Sequence, residues 1–308
     1  MNSKIRYLLL APFLLSSVVG CGSKGSGGAP SGGSPVDVVI ISGQSNGVGC
    51  TKSIYLADSM GEEKYNEYFD GYPNIQIAYD CWTKDWPATG ITFYSQNTSR
   101  KNNFVKTTLG QGNGFETFGP EIGIAESTHE KHGDKLFLIK YACGGSNLKD
   151  DWLGKNSPMY GRMIDYVKLQ IEHLKEKGYS PTIKAFCWMQ GEGDSYPNYY
   201  NVYQENLRTF VSDIRRDFRE LAGGKDLPFI DAGISENQTW MYPRQVNDAK
   251  KAFAEESENN IFIDTMAAGL HTNREPTTAV DLAHYDSESE IMLGRLFAEA
   301  FEQFLDKN

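Results

Sequence analysis

The sequence predicts an α/β protein: a three-layer α/β/α sandwich around a five-stranded parallel sheet. Three observations point there. Five short runs rich in β-branched and aromatic residues punctuate the body, at 36–42 (VDVVIIS), 136–142 (LFLIKYA), 183–189 (IKAFCWM), 227–234 (LPFIDAGI) and 260–264 (NIFID). Strands covered on both faces read as such near-continuous apolar runs. Between the runs lie longer segments with apolar residues at helical spacing, at 121–131, 159–177, 199–221, 244–256 and 288–305; in 159–177, Met163, Tyr166, Val167, Ile171 and Leu174 share one face. Finally, strand and helix alternate, and a crossover helix between parallel strands must lie on a face of the sheet.

The elements follow in order. Lys4 and Arg6 precede an apolar stretch, 7–15, too short to span a bilayer, as in an export signal. Val18-Val19-Gly20-Cys21 resembles a bacterial lipobox, in which the cysteine after the cleavage point is lipidated. Residues 1–20 are thus expected to be a lipoprotein signal peptide, with Cys21 as the lipidation site. A flexible Gly/Ser tether over 21–35 follows, then one domain over 36–308. Gly22 after the cysteine resembles an outer-membrane address. The expectation is an exported lipoprotein at the outer membrane or cell surface, the alternative being a secreted protein. Residues 51–118 break the rhythm with polar, aromatic-rich sequence. A structureless loop of that length is uncommon, so an insertion after the first strand is expected, with a hairpin pairing 74–79 and 90–95.

Charge and cysteines narrow the partners. The formal net charge is −10; Lys4, Arg6 and Lys24 are the only charges in 1–35, so 36–308 holds 27 basic against 40 acidic side chains, a formal −13. A body that acidic repels phosphate backbones and anionic membranes. No nucleic-acid partner is expected, and membrane contact only through the lipid at Cys21. Export permits disulfides, and Cys50, Cys81, Cys143 and Cys187 allow three pairings. Cys50 with Cys81 is the favoured pair, whereas Cys143 and Cys187 each end an apolar run and read equally as buried thiols. No CxxC spacing or His/Cys cluster occurs, so no metal is expected.

In open α/β sheets, ligands bind outside the carboxyl ends of the strands. After the first run comes Gly43-Gln44-Ser45-Asn46-Gly47; after the second, Cys143-Gly144-Gly145-Ser146-Asn147; after the third, Gln190-Gly191-Glu192-Gly193-Asp194; and near the end, Asp281-Leu282-Ala283-His284. Ser45 is a candidate nucleophile, which needs a base and a third group to orient that base. Of five histidines, His129, His132 and His173 lie in or at the ends of helical segments and read as solvated, and His271 sits in a loop. His284 opens the last helix, three residues after Asp281, close enough for the carboxylate to fold back onto the ring. Two rival motifs fail. Gly43–Gly47 matches the Gly-x-Ser-x-Gly nucleophile elbow, but follows the first strand rather than a late one. A phosphate-cradling loop lacks its Gly-Lys-Ser/Thr.

The motifs GQSNG at 43–47, FGPEIGIA at 118–125, GGSNLKDDW at 144–152, QGEGD at 190–194 and DLAHYD at 281–286 resemble the SGNH hydrolase superfamily. More closely, they resemble its branch of family-six acetylxylan esterases and sialate O-acetylesterase-like proteins, over roughly 36–305. The resemblance implies Ser45 as nucleophile, His284 as general base and Asp281 as its orienting acid, with Glu192 as an auxiliary acid partner. It implies oxyanion donors at the Ser45 N–H, the Gly144-Gly145 turn and the Gln190 amide, with Asn46 holding the serine turn. No cofactor is implied. The implied activity is removal of acetyl groups from an acetylated polysaccharide or oligosaccharide, acetylated xylan first because the body is acidic. Acetylated sialic acid or a generic acetyl ester is the alternative, and a non-catalytic polysaccharide-binding lipoprotein is the reading from another class. Aromatic faces suit sugar rings, which nominates Trp152, Trp82 and Trp86 as substrate contacts, with Tyr196, Tyr199 and Tyr200 after the third run as further rim aromatics.

Overall fold

The computed structural model describes residues 32–85, 90–95, 104–272, 275 and 280–305. The expected signal peptide, the lipidation site Cys21, the tether up to residue 31 and Trp86 lie outside the described residues. In chain order the elements are β1 (Ser34–Gly43), α1 (Ser45–Val48), β2 (Thr51–Lys52), α2 (Leu56–Met60), α3 (Glu62–Asp70), β3 (Tyr72–Asp85), β4 (Thr92–Ser95), β5 (Val105–Thr107), β6 (Thr117–Phe118), α4 (Glu121–His132), β7 (Leu136–Gly144), α5 (Tyr160–Glu176), β8 (Tyr179–Met189), α6 (Tyr203–Phe218), β9 (Phe229–Ala232), α7 (Pro243–Ala254), β10 (Asn260–Ile263) and α8 (Ser287–Phe301).

The main sheet has the order β10-β9-β8-β1-β7-β3-β4, with β5 also on β3. Neighbours from β10 to β3 run parallel; β4 and β5 are antiparallel to β3. All five expected strands are present, and among themselves they take the doubly wound order 2-1-3-4-5. The sheet is nonetheless wider than five. The insertion contributes β3 as a sixth parallel strand, paired through Gln76–Thr83 with Phe137–Gly144 of β7. Its far end, residues 82–85, forms the hairpin with β4. Burial alternates at the start of β3 and becomes continuous from Ile77 to Cys81, where the strand lies beside β7. Polar residues on both sides of that stretch make it read as a half-exposed hairpin in sequence.

Successive side chains of a strand point to opposite faces, and β7 shows which helices lie where. Lys140 is ion-paired at 2.7 Å with Glu121 of α4, while Tyr141 packs 5.5 Å from Tyr166 of α5. On the α4 face lies α8, and the two helices cross through glycines: a Cβ on Gly123 would fall 2.0 Å from Ile291 O, and one on Gly294 2.1 Å from Pro120 O. With α5 lie α6 and α7, through Tyr160 against Phe210 and Lys250 over the Tyr203 ring.

Two local expectations are corrected here. His132 is not solvated but buried, its ring bonded to Glu302 at 3.0 Å. All four cysteines of the described residues are free, so the Cys50–Cys81 bridge is not formed; Cys143 and Cys187 are buried thiols. Cys81 is buried on β3, its thiol directed at the Val48 and Gln111 carbonyls, whereas Cys50 is partly exposed and faces His284.

Candidate active site

The serine turn is dictated by close packing. Gly43 ends β1 at φ +141°, where a Cβ would fall 1.9 Å from Met189 O, so no other residue fits without strain. Gln44 N donates to that same carbonyl at 2.8 Å. The single turn α1 follows, closed by Gly49 N donating to Ser45 O at 2.9 Å. Beneath it, the buried Lys140 Nζ donates to Val48 O at 2.9 Å. Within residues 36–49, Ser45 alone is not buried.

The turn after β8 is clamped to this one. Gln44 Oε1 accepts from Gln190 Nε2 at 3.2 Å, Gly191 N at 3.3 Å and Gly193 N at 3.0 Å. Gln190 Nε2 also donates to Asp194 Oδ2 at 2.6 Å, and the Gln190 side chain is fully buried. Both its amide hydrogens are committed to the framework, so the expected oxyanion role for Gln190 fails. Glu192 is fully buried too, and its Oε1 accepts from Asn46 Nδ2 at 2.8 Å. Burial pushes its carboxyl above the usual range. Among the described residues no hydrogen bond joins it to His284, against its expected service as the histidine's auxiliary acid.

Asp281, expected as the orienting acid, is the carboxylate bonded to the His284 ring. Its Oδ1 accepts from Ala283 N at 2.9 Å and His284 N at 3.2 Å, which folds the carboxylate back over its own turn. Its Oδ2 then accepts from His284 Nδ1 at 2.6 Å, which leaves Nε2 as the ring nitrogen outside that bond. Burial opposes charge on the ring, but Asp281 and the Cys50 thiol outweigh it and raise His284 from 6.5 to about 11. The histidine's hydrogen bond in turn holds Asp281 down at about 2.

These turns surround a cavity of about 510 Å³ lined by Gln44, Ser45, Lys84, Ile91, Gly145, Asn147, Asp150, Gly193, Tyr196, Tyr199, Trp240, Ala283 and His284. Ser45 and His284 therefore share one chamber. Among the described residues no hydrogen bond yet joins them; such bonds often tighten only with substrate bound. Asp281 and Cys50 lie behind the histidine, on a rear cavity of about 250 Å³. Of the expected glycine pair, Gly145 lines the main cavity while Gly144 is the last residue of β7, opposite Thr83. Among the described residues the Ser45 and Gly145 N–H groups have no acceptor. No three His, Cys, Asp or Glu side chains among those residues are grouped to hold a metal ion.

A family model for carbohydrate esterases, the sialic acid-specific acetylesterases, matches residues 35–303. The chain belongs to this family. It is a hydrolase of acetylated carbohydrate. Solved structures agree on the fold. A protein from Arabidopsis thaliana is 19% identical, with TM-score 0.58 and coverage of 88% of this chain and 100% of that one. NanS is 15% identical, with TM-score 0.57 and coverage of 89% and 98%. A carbohydrate acetylesterase from Xanthomonas citri is 14% identical, with TM-score 0.50 and coverage of 87% and 56%. No curated protein matches the sequence.

The esterase's aromatic wall differs in part from the one expected. Trp152 is fully buried, its Nε1 donating to Ser146 Oγ and its ring against Trp188; it is core, not a sugar contact. Trp82 lies on β3 under the Arg162 guanidinium, 4.9 Å from its ring, and does not line the cavity. The cavity aromatics are Tyr196, Tyr199 and Trp240. Trp240, Lys84 and Ile91 were not singled out by sequence, and Asn147 was named only within the turn after the second run. Trp240 follows β9 in the polar stretch 235–242, so the strand-end rule that nominated Ser45 also reaches it.

Proposed function

We propose that the esterase deacetylates neutral saccharides, acetylated xylan first, through an acetyl-Ser45 intermediate. One observation carries the reading: Ser45 and the Asp281-backed His284 line a single aromatic-walled cavity. His284 Nε2 takes the Ser45 proton as the hydroxyl attacks the acetyl carbonyl, and Asp281 stabilises the imidazolium. The oxyanion forms against the Ser45 and Gly145 N–H groups, with the Asn147 Nδ2 hydrogen not given to Asp150 as a third donor, each worth about 3 kcal/mol in the transition state. His284 then protonates the departing sugar hydroxyl and activates the water that clears the acetyl group. Neutral sugars suit the cavity charge: Lys84 is paired with Asp151 at 2.6 Å, and Asp150 adds a carboxylate beside Tyr199. The family match favours a second reading, acetylated sialic acid.

Acetate release from acetylated xylan, acetylated sialic acid and an aryl acetate distinguishes these. The expected order puts xylan first; sialic acid ahead installs the second reading, and turnover of the aryl ester alone reduces the protein to a generic esterase. Ser45→Ala is expected to lower release about 10,000-fold or more, and undiminished release would end the serine mechanism. The chain's start supports a further proposal, export and anchoring through lipid on Cys21, for which labelled fatty acid should be incorporated by the parent protein but not by Cys21→Ser.

A further inference from the structure

Asn46, the neighbour of the nucleophile, touches both other turns of the site. Its Nδ2 donates to Glu192 Oε1 at 2.8 Å, and its Oδ1 accepts from Tyr285 N at 3.1 Å. Tyr285 follows His284 directly, so the path from nucleophile to base runs through one buried side chain with a single covalent step at each end. We propose that Asn46 and Glu192 are positioning residues that hold the His284 turn against Ser45, with Glu192 serving as an uncharged hydrogen-bond acceptor rather than as a charged partner of the histidine. The inference rests on the Ser45–His284 reading above.

The need for such a link follows from where Asp281 sits. Asp281 belongs to the same turn as His284, so it fixes the ring relative to that turn and not relative to the serine. Other contacts dock the turn onto the body: Thr51 Oγ1 donates to Tyr285 O at 2.7 Å, Asn237 Nδ2 to Leu282 O at 2.6 Å, and Tyr285 OH to Gly233 O at 3.2 Å. Only the Asn46 bond among these starts from the residue beside Ser45. Reacting groups misplaced by about 1 Å can lose about 100-fold in rate, so a link of this kind has kinetic weight.

The surroundings of Glu192 argue against a charged role. Its second oxygen, Oε2, is buried with no partner among the described residues, a costly setting for an anion. The nearby cation, Lys250, is already held by Asp231 at 2.5 Å and by Ala232 O at 2.8 Å. Burial pushing the Glu192 carboxyl upward agrees with that geometry. An amide oxygen at the same position would keep the bond to Asn46.

Glu192→Leu and Glu192→Gln test this, compared with Asp281→Asn and Ser45→Ala on a soluble aryl acetate, with melting temperatures measured alongside. Glu192→Leu replaces a buried acid with an apolar group of similar size and leaves Asn46 Nδ2 without its acceptor. It is expected to melt near the parent while kcat falls about 100-fold and KM stays within about threefold. Glu192→Gln is expected to recover most of that kcat with the parent's pH profile. Parent-like kcat in Glu192→Leu would overturn the positioning role, and Glu192→Gln as impaired as Asp281→Asn would establish a charged role instead. Should Glu192→Leu not fold, the Glu192→Gln comparison still decides, recovery supporting the proposal and collapse ending it. Undiminished activity in Ser45→Ala would instead overturn the underlying serine reading, separately from these outcomes.

Discussion

The two halves of the proposed catalytic pair are built in opposite ways. The serine turn is an extension of the central strand, enclosed by β7 and β8, pinned by a glycine that touches backbone and supported from below by a buried lysine–glutamate pair. The histidine turn is surface-borne: the His284 side chain is 25% and the Asp281 side chain 47% exposed. On the proposed mechanism, a rigid nucleophile with a base carried on a peripheral turn lets the sheet fix the oxyanion site, while the base is oriented by contacts that substitutions can adjust.

Four substitutions break or sharpen that contrast. The largest effect is expected at the exposed half. Asp281→Asn should lower kcat about 10,000-fold, as loss of the orienting acid does in serine hydrolases. The pH dependence goes with it. In the proposed mechanism the base is neutral His284, whose pKa Asp281 and Cys50 raise against burial, so activity should be lost as pH falls through a limb that lies above 6.5. In Asp281→Asn the residual kcat/KM should show that limb displaced to lower pH, and an unmoved limb would deny the pairing. At the buried half, stability should suffer first. Trp152→Ala removes a ring enclosed between β7, β8 and α6 and should cost about 3–5 kcal/mol in denaturant unfolding. Gly43→Ala forces a Cβ onto Met189 O at positive φ and should cost about 3 kcal/mol, with a lowered melting temperature. The smallest effect belongs to the wall: Trp240→Ala should raise KM for acetylated xylan about tenfold, about 1.4 kcal/mol, and leave aryl acetate turnover nearly intact.

Much of this molecule was legible in the residues alone, for identifiable reasons. The five expected strands announce themselves because burial on both faces, complete for all but the edge strand β10, demands near-continuous apolar side chains. Their crossover helices carry apolar stripes that match α4 to α8 within a few residues. Ser45, Asp281 and His284 could be nominated because their logic is local, a glycine turn at a strand end and a three-residue fold-back. What escaped was settled at long range. Gln190 looks like a donor facing the cavity until Gln44, 146 residues away, takes its hydrogen. Trp152 looks like a sugar platform until Trp188 and Phe210 enclose it. The strand β3 was half seen, because Asn74, Gln76 and Asp80 mask a segment that becomes buried only beside β7.

That strand has a consequence for how such enzymes diverge. Along one stretch of chain, β3 completes the parallel sheet, and its end and the residue before β4 deliver Lys84 and Ile91 to the cavity. Lys84 is tethered to Asp151, in the segment after β7, by a buried ion pair. Part of the cavity lining and part of the scaffold are therefore carried by one stretch of chain. Transplanting the segment from a relative would exchange part of the pocket only if the receiving carboxylate at 151 came with it, since an orphaned buried charge costs several kcal/mol.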